Sequence, residues 1–229
     1  MLGKARELRR IASILVIASL LLSLSAFAFR AQPASAQLAS ADTSNIITNG
    51  DFETGTFYGW NVSGVCTISN STVHSGMYSA YVSSGYAETN AISQNLTVSA
   101  GQSILFEGWI YPLKVGNLGD AYSASSAITL WFCNAATMSP AFIVEYIWCW
   151  NNAHLNSNSS QGIHFLLPLT AGTWNILSRN VTQDILQYFT GINLSEYMLY
   201  SIKAQYHYSN GDPGAFYVDD LGLFATLLS

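Results

Sequence analysis

From about Asn45 onward the chain alternates runs of five to ten residues rich in Val, Ile, Thr, Tyr, Phe and Trp with clusters of Gly, Asn, Ser and Pro. β-Branched and aromatic residues fit a pleated, half-buried surface and the clusters supply turns, so each run predicts a strand. The expected strands are "VCTISNSTV", "YSAYVSS", "AISQNLTV", "SILFEGWIYPL", "SAITLWFCN", "AFIVEYIWCW", "GIHFLLPL", "TWNILSRNV", "YMLYSIKAQYHY" and "AFYVDDLGLF". One stretch departs from that period. "TQDILQYF" places Ile185, Tyr188 and Phe189 on one face of a helix, with Thr182 as its cap and Asp184 in its first turn. The pattern predicts an all-β fold, a two-sheet β-sandwich of jelly-roll type with one short helix. Neither an internal repeat nor an interdomain linker interrupts it, so residues 45–229 are expected to form a single domain.

Ahead of the alternation the chain reads differently. Lys4, Arg6, Arg9 and Arg10 precede the apolar run "IASILVIASLLLSLSAFAF", and Ala34-Ser35-Ala36 offers small residues for cleavage. This is the pattern of a secretory signal peptide over residues 1–36, followed by a flexible lead over residues 37–44. The run is also close to spanning length, which makes an uncleaved anchor the competing reading. On either reading the domain is expected to be secreted, extracellular or at the cell surface.

Export changes the charge. The whole chain carries 8 Lys and Arg against 13 Asp and Glu, a net charge of −5. Cleavage after Ala36 removes five basic residues and one acid, leaving 3 − 12 = −9, with Lys114, Arg179 and Lys203 as the remaining cations. That sign excludes nucleic acid and anionic lipid as favoured partners. Six sequons, at Asn61, Asn70, Asn95, Asn158, Asn180 and Asn193, are candidate glycosylation sites, although roughly half would arise by chance in a Ser/Thr-rich chain. Cys66, Cys133 and Cys149 are an odd number, so at most one intrachain disulfide forms. Cys133 and Cys149 flank a predicted hairpin and are the preferred pair; the alternative is three buried thiols acting as small hydrophobes.

Two acidic stretches stand out in so uncharged a chain: Asp51 and Glu53 in "NIITNGDFETG", and Asp219 and Asp220 in "AFYVDDLGLF". If the first and last strands are neighbours the acids meet, and they repel unless a hard cation or N–H donors neutralise them. "NGDFETG" followed by Trp60, "HSGMYSAYVSSG", "ISQNLTVSAGQSILFEGWIYP" and a closing "FYVDDLGL" resembles the carbohydrate-binding modules of families 4 and 9, galactose-binding-like jelly rolls. The similarity covers both ends of the domain; residues 115 to 195 match only in strand character. It implies a structural calcium ion held by Asp51, Glu53, a backbone oxygen near Ser75 or Gly76, and Asp219 or Asp220. The competing expectation is that these acids cap turns.

Sugar-binding faces stack aromatic rings on pyranose rings and read hydroxyls with amides and carboxylates. Period two puts Glu107, Trp109 and Tyr111 on one face, and Tyr146, Trp148 and Trp150 on another. Trp131 adds a ring, and "KAQYHYS" adds either Gln205 and His207 or Tyr206 and Tyr208. Faces carrying Glu107, or Lys203, Gln205 and His207, are expected to be open, because charge is costly in a sealed core; Trp60 is expected to pack. A secreted, non-catalytic, calcium-stabilised module binding polysaccharide or glycan is the first expectation. The second is a structural subunit of an extracellular filament or surface coat, self-associating by donation of the lead as a strand. A third is a two-carboxylate glycoside hydrolase built on Glu107 and Glu145, should they face one another. No His-Glu-x-x-His or Gly-x-Ser-x-Gly pattern occurs.

Overall fold

Alternation in the long strands sends one set of side chains between two sheets and the other set outward. A computed structural model describes residues 44–83, 89–117, 125–150, 161–207 and 214–227; the expected signal peptide, residues 37–43 of the lead, Asn158 and Tyr208 lie outside them. The strands are β1 (Asn61–Ser63), β2 (Cys66–Ser69), β3 (Ser79–Val82), β4 (Asn90–Ser99), β5 (Gln102–Pro112), β6 (Gly116–Asn117), β7 (Ser125–Asn134), β8 (Pro140–Trp150), β9 (Gly162–Leu166), β10 (Asn175–Asn180), β11 (Tyr197–His207) and β12 (Phe216–Leu227), with helix α1 at Val181–Tyr188. One sheet has the order β1-β4-β11-β7-β8-β6, with β9 also paired to β8, and the other the order β10-β5-β12-β3-β2. Ile92, Ile128, Leu130, Phe132 and Val144 of the first sheet meet Ala80, Ile104, Phe106, Ile110 and Val218 of the second in one fully buried core. This is the β-sandwich of jelly-roll type that the pattern predicts.

Three local expectations are corrected. The helix begins at Val181, and its cap is Asn180, whose side chain accepts from the Gln183 N–H at 3.1 Å. Thr182 is buried instead, donating to the Gln102 carbonyl and accepting from Ile104 N–H, both at 2.9 Å, which ties the helix to β5. "VCTISNSTV" yields strand only at Cys66–Ser69 before the chain bends away. Cys133 and Cys149 are not joined in a disulfide. Cys149 pairs with Ser126, seven residues before Cys133, so the thiols sit about 23 Å apart along the hairpin at about 3.3 Å per residue. Burial raises the thiol of Cys133, and pushes that of Cys66 up to about 11, so neither is a ready nucleophile at neutral pH.

The ends of the domain close on each other. Residues 45–50 run along β12, with Ile46 N–H donating to Leu223 O and Leu221 N–H to Gly50 O, each at 2.8 Å. The Asn45 side chain donates to Leu221 O at 3.0 Å and accepts from Leu223 N–H at 2.9 Å. At this point β12 is bulged: its register against β5 shifts between Asp219 and Gly222, and Asp220 has φ of 50°. The bulge turns both acids toward residues 74–78. Asp219 accepts from His74 N–H at 3.0 Å and Ser75 N–H at 3.2 Å, and Asp220 binds the His74 ring at 2.7 Å and the Ser75 hydroxyl at 2.9 Å. From the other side Glu53 accepts from Met77 N–H at 2.8 Å and Tyr78 N–H at 2.9 Å.

Gly50 lies so close to β12 that an added Cβ would collide with the Leu221 carbonyl oxygen. Gly50→Ala is expected to cost about 2 kcal/mol and lower Tm by roughly 5 °C, read by thermal unfolding. Asp219 is fully buried, and burial raises its carboxyl from the ordinary 3.8 to about 6 against the opposing pull of the Ser75 N–H. A carboxyl raised on folding stabilises most below its unfolded value, and that contribution is lost as pH rises from about 4 to about 6. In chelator, Asp219→Asn keeps an acceptor but cannot ionise. The difference in Tm between it and the parent is therefore expected to move in the variant's favour over that window; a pH-independent difference would show that Asp219 does not titrate there.

Candidate functional site

The two outward faces of the sandwich divide the expected binding residues between them. On the seven-stranded sheet, cross-strand pairing aligns three rows over β4, β11, β7, β8 and β9. One is Asn95, Ser201, Trp131, Ile143 and Gly162; the next is Ser93, Lys203, Thr129, Glu145 and His164; the third is Ala91, Gln205, Ala127, Ile147 and Leu166. Their alternates Ile128, Leu130, Val144 and Ile202 lie in the core, so these rows face away from it.

The middle row is a polar network on an outward face. Thr129 donates to Glu145 Oε1 at 3.0 Å, the Gln205 amide donates to the Thr129 hydroxyl at 3.0 Å, and His164 Nδ1 lies 2.8 Å from Glu145 Oε2. Glu145 is only 7% exposed and Gln205 8%. A carboxylate at that depth needs such partners, which hold its oxygens in fixed directions. Lys203 lies over the Trp131 ring at 4.6 Å. Beside the network a cleft of about 410 Å³ is lined by Trp131, Phe142, Ile143, Gln161, Gly162 and His164, among others. The indole N–H of Trp131 is buried without an acceptor among the described residues.

On the opposite face, that of the five-stranded sheet, Glu107, Trp109 and Tyr111 project together as period two requires, all partly exposed. Glu107 accepts from the Ser178 hydroxyl at 3.1 Å. The two sheets therefore separate the carboxylates of the expected hydrolase: Glu107 and Glu145 lie on opposite outward faces and do not flank a common bond. Tyr146 and Trp148 are a second correction, since both are 0% exposed in the core. The Tyr146 hydroxyl donates to Asp184 at 2.7 Å, where Arg179 also binds at 2.6 and 2.9 Å. Trp150, at the end of β8, is partly buried, and His207, at the end of β11, is exposed. Tyr206 faces the core, which resolves that strand in favour of Gln205 and His207. Trp60 packs on Phe52 at 5.7 Å and donates to Asn49 O, as expected. Thr129 and His164 were not among the expected residues; cross-strand register, which sequence does not display, brings them beside Glu145.

The residues assigned to calcium by resemblance lie at one turn and the cleft beside it. Glu53, Ser75, Gly76, Asp219 and Asp220 gather at one turn, but the Glu53, Asp219 and Asp220 carboxylates already accept from backbone or side-chain donors. Asp51 lines a neighbouring cleft that Asp220 and Glu107 also line. No group of three or more His, Cys, Asp or Glu side chains is placed to hold a metal ion among the described residues. Of the sequon residues, Asn61, Asn70, Asn95, Asn180 and Asn193 are exposed; Asn180 and Asn193 also cap α1 and the 3-10 turn at Leu194–Glu196.

TmCBM61 in complex with beta-1,4-galactotriose is 15% identical, with 80% of this chain and 99% of that one covered at a TM-score of 0.45. The CBM22-1 xylan-binding domain from Paenibacillus barcinonensis Xyn10C is 13% identical, with 79% and 94% covered at 0.44. The enzymatically active domain of bacteriophage CBA120 tailspike protein 4 is 12% identical, with 79% of this chain and 21% of that one covered at 0.47. No curated protein sequence matches. Residues 44–111 match the family described as "Carbohydrate binding domain", CBM_4_9, so the resemblance read from the sequence holds over the stretch that runs from the first acidic turn to Tyr111 on β5.

Proposed function

We propose that this chain is an exported, non-catalytic module that binds a polysaccharide or glycan on the outward face of its seven-stranded sheet. The observation that carries the reading is the row Lys203, Thr129, Glu145 and His164 with Gln205, set beside the cleft that Trp131 lines. A pyranose presents an apolar C–H face and a rim of hydroxyls. Trp131 offers a ring for the first, and the network offers an ammonium, an amide, an imidazole and a carboxylate for the second. The hydrogen bonds among Thr129, Gln205 and Glu145 fix those groups before a ligand arrives, which limits the entropy lost on binding. Glycoside hydrolysis by the usual route needs two carboxyl groups flanking a bond, and Glu145 is the one carboxylate in these rows. The match of residues 44–111 to a carbohydrate binding domain supports the glycan as ligand, while the binding residues named on this face lie beyond the matched stretch.

The test is retention on a panel of insoluble polysaccharides followed by calorimetry with soluble oligosaccharides of whichever is retained. Trp131→Ala is expected to weaken binding by about 2 kcal/mol, roughly thirtyfold, as central aromatic anchors do. Glu145→Gln keeps the shape but releases the charge that holds His164, and roughly a tenfold loss is expected. Wild-type affinity in a folded Trp131→Ala variant would remove this face as the site.

A further inference from the structure

The face of the five-stranded sheet carries an aromatic surface that the reading above does not use. Tyr217 of β12 pairs across the sheet with Tyr81 of β3 and Tyr111 of β5. Ring centroids run from Tyr81 to Tyr217 at 4.8 Å, to Tyr111 at 5.9 Å, and to Trp174, just ahead of β10, at 5.6 Å. The band continues through His74 at 5.6 Å to Trp109, on which the His74 ring stacks at 3.8 Å. All six side chains are partly exposed, and all project away from a core already filled by Ala80, Val82, Phe106, Ile110 and Val218. A contiguous, half-exposed ring surface of this kind marks an interaction site rather than packing.

The charge beside the band selects the occupant. Glu107 lies two residues from Trp109 on the same face, and Asp220 holds His74 against that ring. Both carboxylates line a polar cleft of about 280 Å³, together with Asp51, Asn45 and Asn49. Of the three cations outside the expected signal peptide, Lys203 sits on the opposite face over Trp131, Arg179 is committed to Asp184, and Lys114 lies past the end of β5, beyond Pro112. A polyanion is repelled here. An ammonium group is drawn both by the carboxylates and by the faces of the tryptophan and tyrosine rings, while the rings stack on the sugar that bears it.

We propose that this face is a saccharide-binding surface of its own, for a polymer of protonated amino sugars. It does not rest on the first site, and the two fail separately. The experiment titrates the full-length protein, in chelator, with a glucosamine hexamer and with its N-acetylated counterpart, following tryptophan indole resonances assigned through single Trp→Phe variants. The hexamer is expected to shift the Trp109 and Trp174 signals, and to bind about tenfold more weakly at roughly half-molar salt, where surface charge is screened. The N-acetylated hexamer, which lacks the ammonium groups, is expected to bind at least tenfold more weakly, and Glu107→Gln, which preserves the fold around Ser178, to lose about tenfold for the charged hexamer alone. Absence of shifts at Trp109 and Trp174, or shifts confined to Trp131 and Trp150, would overturn the proposal. Equal affinity for the two hexamers would overturn its assignment to amino sugars.

Discussion

Glu53 and Asp219 hold the turn at residues 74–78 from two sides, and the sandwich closes through that turn. Each carboxylate accepts from two consecutive backbone N–H groups, which no ladder of the sandwich pairs. One acid comes from the start of the domain and the other from its last strand, so the contact joins the two ends of the chain to the segment between β2 and β3. Gly76, at φ of 64°, belongs to the same device: a Cβ there would collide with the Glu53 carboxylate. The bulge in β12 follows from it as well, because an unbroken ladder would send Asp219 and Asp220 to opposite faces, whereas the bulge aims both at the turn. The cost is a buried carboxylate beside a second one, visible in the raised carboxyl of Asp219.

Once the ends are tied, alternation decides what each sheet offers. Both sheets give one set of side chains to a common core, and the remaining sets are left on opposite sides of the molecule with different chemistry. The seven-stranded sheet presents a hydrogen-bonded polar row beside one indole and a cleft. The five-stranded sheet presents tyrosines in cross-strand register with tryptophan and histidine at their end. Neither chemistry is explained by packing between the sheets, since neither set reaches the core.

Strand existence, the sandwich and the acidic closure were legible because each depends on local chemistry: β-branched runs, turn formers, and acids next to strand ends. The faces were legible only where charge marked them. Glu107 correctly placed Trp109 and Tyr111 outside, and Lys203 placed Gln205 outside with it. The same argument applied to Glu145 would have put Tyr146 and Trp148 inside, because they alternate with an acid that must face out. Period two says which residues share a face and not which face is buried. Cross-strand neighbours such as His164 beside Glu145, or Tyr81 beside Tyr217, depend on register and strand order, which no single segment encodes. The cysteine pairing failed for the same reason: flanking a hairpin is not being opposite within it. Thr182 failed differently. Its hydroxyl found two buried backbone partners on β5, a tertiary demand that outweighed capping, and Asn180 took the cap.

The separation of charge between the faces is a product of strand order rather than of sequence position. Glu107 and Glu145 are both central residues of long strands, yet β5 and β8 belong to different sheets, so their carboxylates point away from each other across the whole thickness of the core. Lys203, far along the chain from Thr129 and Glu145, is carried into their row because β11 lies between β4 and β7. The acids of the two chain ends gather on the other side because β12 lies between β5 and β3. In a domain with so few cations, a lysine placed by topology over Trp131 contributes to making the two faces unlike. A face that keeps Lys203 over Trp131 and binds its one carboxylate to Thr129, Gln205 and His164 is suited to hydroxyl recognition, whereas a face with Glu107 and Asp220 beside open rings is suited to a positively charged sugar.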